Sequence, residues 1–319
     1  MVSKVLLASP RGYCAGVERA VETVEKALDL YGPPVYVRKQ IVHNLHVVRD
    51  LEARGAVFVD DKRDVPEGET VVFSAHGVAP SVHTNAAARG LQTLDATCPL
   101  VTKVHVQARR YAEAGYTIVL IGHAGHEEVV GTMGEAPGSI VLVESVADVE
   151  ALEFAEDARL AYVTQTTLSV DETGEIIAAL RRRFPAIYAP KKEDICYATS
   201  NRQWAVKEML PEIDLLLVIG SRNSSNSNRL VETARSGGVD AYLIDDAGEI
   251  DEQWLTDASV VGVTSGASAP EKLVAEVCDW FRARGVEKIE AYRLVEEDVE
   301  FRLPVELRRE LALASDHDI

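Results

Sequence analysis

Cysteine is scarce in this 319-residue chain, which holds four: Cys14, Cys98, Cys196 and Cys278. Disulfide scaffolds are dense in small secreted domains, so this count excludes one and leaves reduced thiols as the starting assumption. Positive charge is also short, with 33 Lys and Arg against 51 Asp and Glu and a formal charge of −18. Such a field repels nucleic acid and anionic lipid, so neither is an expected partner, and any anionic substrate has to be captured by local donors. No apolar run approaches the roughly 20 residues that span a bilayer. The opening MVSKVLLASP is too short for a signal segment and runs into a turn at Arg11 and Gly12. These absences together point to a cytoplasmic protein.

What is present is a long, ordinary hydrophobic inventory, 47% of residues, enough for two or three small domains. Short β-branched runs recur: KVLLAS, AVFV, TVVFS, TIVLIG, IVLVE, LAYVT, DLLLVIG, AYLID and SVVGVTS. They alternate with amphipathic segments, a pattern that predicts parallel sheets covered by helices, an α/β architecture. The first helix shows it well: Val17, Ala20, Val21, Val24 and Leu28 share one stripe before Gly32-Pro33-Pro34 stops it.

A coarser repeat lies above this one. GYCAGVERAVETV, ATCPLVTKVHVQA and ICYATSNRQWAV each put a cysteine at the start of a helical pattern, about one small α/β unit apart. The reading is three similar units, residues 1–97, 98–193 and 194–284, presenting Cys14, Cys98 and Cys196 respectively. From 285 to 319 an acidic C-terminal tail ending in DHDI shows little periodicity, with order expected around AYRLV and EFRLP. Cys278 differs from the other three, because LVAEVCDWF places it inside a helix with Val274 and Phe281, as a small buried hydrophobe.

Polar clusters follow the apolar strands directly: SAHG, GHAGHEEV, TQTTLS, SRNSSNSN and SGASAP. Ligands of open α/β sheets bind beyond the carboxyl ends of the strands, so these clusters argue for one shared cleft. A helix N-terminus favours thiolate, the metal-binding form, at Cys14, Cys98 and Cys196. Three cysteines without a CxxC pair fit three readings: structural thiols, a zinc site, or an iron–sulfur cluster with one iron left for substrate. Histidines at strand ends, His43, His76 and His126, suit phosphate donors or proton carriers, although one alone is more often an ordinary half-buried side chain. Glu128 is a candidate proton donor, or simply a partner of the helix dipole. The stretch Ser221 to Leu230 is either a flexible polar loop or a helix N-terminus where hydroxyls, amides and backbone N–H groups converge on an anion, with Thr166 and Ser268 in equivalent positions. No GxxxxGK[ST] or well-placed GxGxxG accompanies it, so neither a nucleoside triphosphate nor a dinucleotide is implied.

The strings PRGYCAGVERA, SAHGV, DATCPLVTKVH, IGHAGHEEVVGTMGE, TQTTLSVDET, DICYATSNRQ, GSRNSSNSNRLVE and VGVTSGASAP occur in this order between about residues 9 and 271. They resemble the signature blocks of the 4-hydroxy-3-methylbut-2-enyl diphosphate reductases. The resemblance implies three α/β units arranged pseudo-threefold around a central 4Fe-4S cluster, with Cys14, Cys98 and Cys196 as ligands and one iron open to substrate. It implies a diphosphate cradle of His43, His76, Ser224, Ser225, Asn226 and Ser268, with His126 and Thr166 near the substrate hydroxyl and Glu128 as proton donor. The implied reaction is reductive dehydroxylation of the allylic diphosphate to isopentenyl and dimethylallyl diphosphates, the last step of the non-mevalonate isoprenoid route. A small ferredoxin or flavodoxin is the implied electron donor, since the chain shows no flavin or nicotinamide motif. Three other readings stand beside it: a zinc hydrolase, a cluster-bearing dehydratase of the quinolinate synthase type, and a non-enzymatic diphosphate-binding or redox-sensing module.

Overall fold

The computed structural model describes residues 2–60 and 64–317, so the last two residues of the DHDI ending lie outside the described residues. In chain order the first elements are β1 (Lys4–Ser9), α1 (Ala15–Tyr31), β2 (Val35–Arg38), α2 (Leu45–Ala53), β3 (Ala56–Val59), β4 (Thr70–Phe73), α3 (Pro80–Ala88) and β5 (Gln92–Asp95). Then come α4 (Pro99–Glu113), β6 (Thr117–Ile121), α5 (Glu127–Glu135), β7 (Ile140–Val143), α6 (Val146–Ala151), β8 (Leu160–Thr164) and α7 (Val170–Arg183). The chain closes with α8 (Tyr197–Met209), β9 (Leu215–Ile219), α9 (Ser225–Ser236), β10 (Asp240–Ile244), β11 (Val260–Ser265), α10 (Glu271–Arg282), β12 (Lys288–Arg293) and α11 (Val305–His317).

Three sheets result, all of their strand pairs parallel, as the alternating pattern predicts. Their orders are β10-β9-β11-β1-β12, β3-β2-β4-β5 and β7-β6-β8. Parallel strands are covered on both faces and read as continuous apolar runs. Accordingly LLLVI of β9, LAYVT of β8 and TVVF of β4 are buried at every position.

The chain divides into two compact units: Met1–Val17, His43–Arg49 and Tyr197–Glu300 form the first; Glu18–Val42, Asp50–Cys196 and Phe301–Ile319 form the second. The first unit holds the five-stranded sheet. One of its cores runs through Val5, Leu217, Val263, Val274, Val277 and Phe281, and Cys278 sits in it as an ordinary buried side chain whose thiol is pushed up by burial. The second unit holds the two smaller sheets, with cores around Phe73, Leu120 and Leu180.

Two features depart from the sequence pattern. β1 lies in the same sheet as β9 to β12 rather than with the strands that follow it, because its apolar residues pair with β11 on one side and β12 on the other. The tail is more regular than its composition suggests. AYR lies in β12, whose polar, largely exposed face marks it as a sheet edge, while EFRLP is irregular and leads into α11. Within the second unit α11 buries Leu307, and its Glu310 accepts from Tyr31 and Gln92. Among the described residues no helix is long and apolar enough to cross a membrane.

Candidate functional site

Each sheet reverses its strand order once: between β9 and β11, between β2 and β4, and between β6 and β8. Chain connections depart in opposite directions there, opening a crevice beyond the strand ends. The polar clusters singled out from sequence lie at these crevices.

In the first unit, α9 starts directly beyond β9. Ser224 is its N-cap, accepting from the Ser227 N–H at 3.3 Å and from the Ser227 hydroxyl at 3.0 Å. The helix approaches the sheet so closely that a Cβ on Gly220 or Gly266 would stand 2.1 or 2.0 Å from the Ser227 hydroxyl, so glycine is required at both. Buried Asn226 joins three segments: its Oδ1 accepts from the Ala267 N–H at 2.9 Å, and its Nδ2 donates to Thr199 Oγ1 at 3.2 Å. Ala267 O in turn accepts from the Cys14 N–H at 3.1 Å, just before α1. Ser268 donates to the His43 carbonyl at 2.9 Å, and the His43 ring lies 3.3 Å from Asn223. Burial pushes the His43 imidazole down to about 4, so it is neutral at pH 7. Cys14, His43, Ser224, Ser225, Asn226 and Ser268 thus form one connected region of neutral groups and a thiol at a helix start.

The second unit gathers the rest. His76 follows β4, and the neighbouring Ala75 carbonyl accepts from the Cys98 N–H at 3.0 Å; Cys98 is the N-cap of α4. Gly77 is left-handed at φ +80°, and a Cβ there would stand 2.9 Å from His105 Cε1. His76 and His126 meet edge to face at 5.8 Å. His126 caps α5, its Nδ1 accepting from the Glu128 N–H at 3.2 Å.

Glu128 is 2% exposed, and both of its oxygens are held by Thr166: the N–H donates to Oε1 at 2.6 Å and the hydroxyl to Oε2 at 3.0 Å. Burial raises this carboxyl to about 7; the Thr166 bonds pull the other way, and nearby Asp194 adds to the rise. Thr166 O then accepts from the Cys196 N–H at 3.0 Å, immediately before α8. Cys98, Cys196, His76, His126, Glu128 and Thr166 are therefore tied together by direct contacts inside one unit. Glu127, next to Glu128, instead faces Arg38 at 3.5 Å.

Four supporting side chains escaped the sequence reading. Lys103 of α4 donates to Lys192 O, Glu193 O and Asp194 Oδ1 at 3.2, 2.7 and 3.0 Å, fastening the segment before Cys196 to the helix capped by Cys98. Asp194 also accepts from the Thr164 N–H, although its burial still raises its carboxyl. Buried Arg19 donates to the Thr97 and Asp95 carbonyls just before Cys98, and buried Arg202 to the Gly12 carbonyl just before Cys14. For Arg19, Lys103 and Arg202 the available signal was charge on helices preceded by cysteine; Asp194 lies off any helix and had none.

None of the four cysteines is in a disulfide. Among the described residues no three His, Cys, Asp or Glu side chains are grouped as a site for a single metal ion. An iron–sulfur cluster takes its thiolates on separate irons, so its ligands need not meet at a point. The donor chemistry fits such a group: three thiols outside any disulfide, each standing just before a helix.

Residues 5–282 match the family described as LytB protein. A relative named 4-hydroxy-3-methylbut-2-enyl diphosphate reductase from Acidothermus cellulolyticus is 62% identical over 97% of this chain and 91% of its own length. One of the same name from Streptomyces avermitilis is 58% identical with the same coverage. Among solved structures, the E-1-hydroxy-2-methyl-but-2-enyl-4-diphosphate reductase from Plasmodium falciparum superposes with a TM-score of 0.96 at 38% identity, covering 100% of both chains. A second, an (E)-4-hydroxy-3-methyl-but-2-enyl diphosphate reductase described as the terminal enzyme of the non-mevalonate pathway, gives 0.63 at 32% identity over 89% of this chain and 100% of its own.

Proposed function

The chain belongs to the LytB protein family, and from that premise we infer that it is an oxidoreductase converting (E)-4-hydroxy-3-methylbut-2-enyl diphosphate to isopentenyl and dimethylallyl diphosphates. The allylic C–O bond breaks, two electrons and two protons are consumed, and the oxygen leaves as water. A reductant is therefore required; our proposal for it is a ferredoxin or flavodoxin.

We assign Cys14, Cys98 and Cys196, each standing just before a helix, as ligands of a 4Fe-4S cluster with one iron open to substrate. When bound, that group supplies the electrons and a Lewis-acidic iron. The protein's own residues do the remainder. Ser224, Ser225, Asn226, Ser268, His43 and His76 are assigned to the diphosphate. Hydroxyls, an amide and helix N–H groups suit it because preorganised dipoles at short range outweigh a net charge screened over about 8–10 Å. Asn226 retains a second Nδ2 hydrogen beyond the one given to Thr199. His126 and Thr166 are assigned to orienting the substrate hydroxyl.

The observation that carries the catalytic reading in this chain is the Glu128 carboxyl, raised to about 7 by burial and gripped at both oxygens by Thr166. A neutral acid near operating pH delivers a proton best. The test is anaerobic turnover of the hydroxylated diphosphate by reconstituted protein with dithionite-reduced methyl viologen. The expected result is both five-carbon diphosphates together with a brown chromophore. A colourless protein, or a coloured one that leaves the substrate untouched, overturns the reading.

A further inference from the structure

In a chain with 51 acidic and 33 basic residues, one groove has cations as the only charged residues of its lining. It lies along α4 and the loop from Tyr188 to Lys192, encloses about 650 Å³, and collects Lys103, Arg110, Lys191 and Lys192 with no carboxylate in its lining. Arg110, Lys191 and Lys192 are exposed. Asp194 beneath the loop is fully buried in its pair with Lys103, and Glu193 lines the neighbouring cavity together with Arg181. Asp194 thus offsets Lys103, and the groove's outward charge rests on Arg110, Lys191 and Lys192.

The wall beside the cations is aromatic. Tyr111, Tyr116 and Tyr188 pack with ring centroids 5.5 to 5.9 Å apart, and Arg159 covers Tyr116 at 4.2 Å. Rigid Tyr with Arg is the composition that protein interfaces enrich. The surface is also built to hold its shape, because Lys103 ties the loop carbonyls of residues 192 and 193 to α4. One end of the groove is Pro99, the residue after Cys98; Lys192 stands four positions before Cys196.

We propose that this groove is the docking surface for an acidic electron-carrier protein. The proposal rests on the reductase reading, which demands two electrons from outside a chain without flavin or nicotinamide motifs. A carrier bound here approaches the helix start of Cys98, is itself oxidised, and gives up two electrons for each substrate reduced. Complementary charge acts mainly on the encounter: it raises association rates about 10- to 1,000-fold at low ionic strength and loses force with salt.

The experiment compares the wild-type holoenzyme with the Arg110→Glu/Lys191→Glu double variant, each driven either by dithionite-reduced flavodoxin or by reduced methyl viologen. The viologen rate should agree within about twofold, which certifies folding and cluster. The flavodoxin kcat/KM of the variant should fall at least about 10-fold at low salt, with the gap closing as salt rises. A conservative Arg110→Lys/Lys191→Arg variant should restore the flavodoxin rate. Equal flavodoxin rates at low salt while viologen turnover proceeds overturn the docking surface alone. Absence of viologen turnover in the wild type overturns the reductase reading and the docking surface with it.

Discussion

The two regions assigned to the substrate are built on opposite principles. The stretch from Ser221 into the first turn of α9 at Asn226, with Ser268 and His43, offers hydroxyls, an amide and an imidazole held neutral by burial. The region around Glu128 and Thr166 is organised around one ionisable carboxyl that burial raises to about 7. Holding an anion needs donors that do not titrate; delivering a proton needs a group that does. The same physical cause, burial, serves both, since it removes charge from a base such as His43 and from an acid such as Glu128.

The largest effect expected is on the thiols. Cys14→Ser, Cys98→Ser and Cys196→Ser should each remove or cripple the cluster chromophore, because serine is a harder and far less acidic ligand. Cys278→Ser, in the core of α10, should keep the colour. Bleaching by the Cys278 change, with colour kept in the Cys196 variant, would reverse the ligand assignment.

Next is Glu128→Gln, which keeps size and hydrogen bonding but not the proton. General acids contribute about 10²- to 10⁴-fold, so kcat should fall by at least the lower figure while cluster absorbance and substrate affinity persist. Glu127→Gln loses only a partly exposed contact with Arg38 and should stay near wild type. Swapped outcomes for the two glutamates would invert the proton-donor assignment.

In the other region, Ser225→Ala or Asn226→Ala should act on affinity. A hydrogen bond to a charged group is worth about 1.5–3 kcal/mol, on the order of 10- to 150-fold in Kd. Asn226→Ala should be the worse of the two, because it also releases the Ala267 N–H and Thr199. Titration calorimetry reads both, and unchanged affinity in the pair would remove the start of α9 from the site.

Lys103→Met probes the support instead of the site. Losing one partner of a buried ion pair costs about 3–5 kcal/mol, and Lys103, with 34% of its side chain exposed, belongs at the low end. The variant should melt earlier and release its cluster faster, and Lys103→Met/Asp194→Asn should recover part of the loss. A double variant no better than the single would show that the carbonyls of residues 192 and 193, and not Asp194, are what Lys103 serves.

These regions were not equally legible in the sequence. Strand ends followed by polar clusters announced the crevices, because parallel strands buried on both faces leave an unmistakable apolar run, as in LLLVI before SRNSSNSN. Cysteine at a helix start was legible for the same reason: Cys98 precedes Pro99, a residue suited to the first helical turn. Which charged residues turn inward was not. Arg19, Lys103 and Arg202 look like surface residues on amphipathic helices, and only the fold shows that each fastens the backbone beside a cysteine. Nor does β1 reveal from its own residues that its partners are β11 and β12, 256 and 284 positions away by the Lys4 pairings with Val260 and Lys288.

The contrast between a titrating and a non-titrating region is tested most directly by the pH dependence of kcat in wild-type and Glu128→Gln holoenzyme between about pH 6 and 8.5. Glu128 is protonated below about 7, so the wild-type kcat should be highest there and fall as pH rises through that value, approaching tenfold per pH unit. The residual rate of Glu128→Gln should lack that fall. An identical decline in both proteins would contradict the account, because the group titrating near 7 would then not be Glu128.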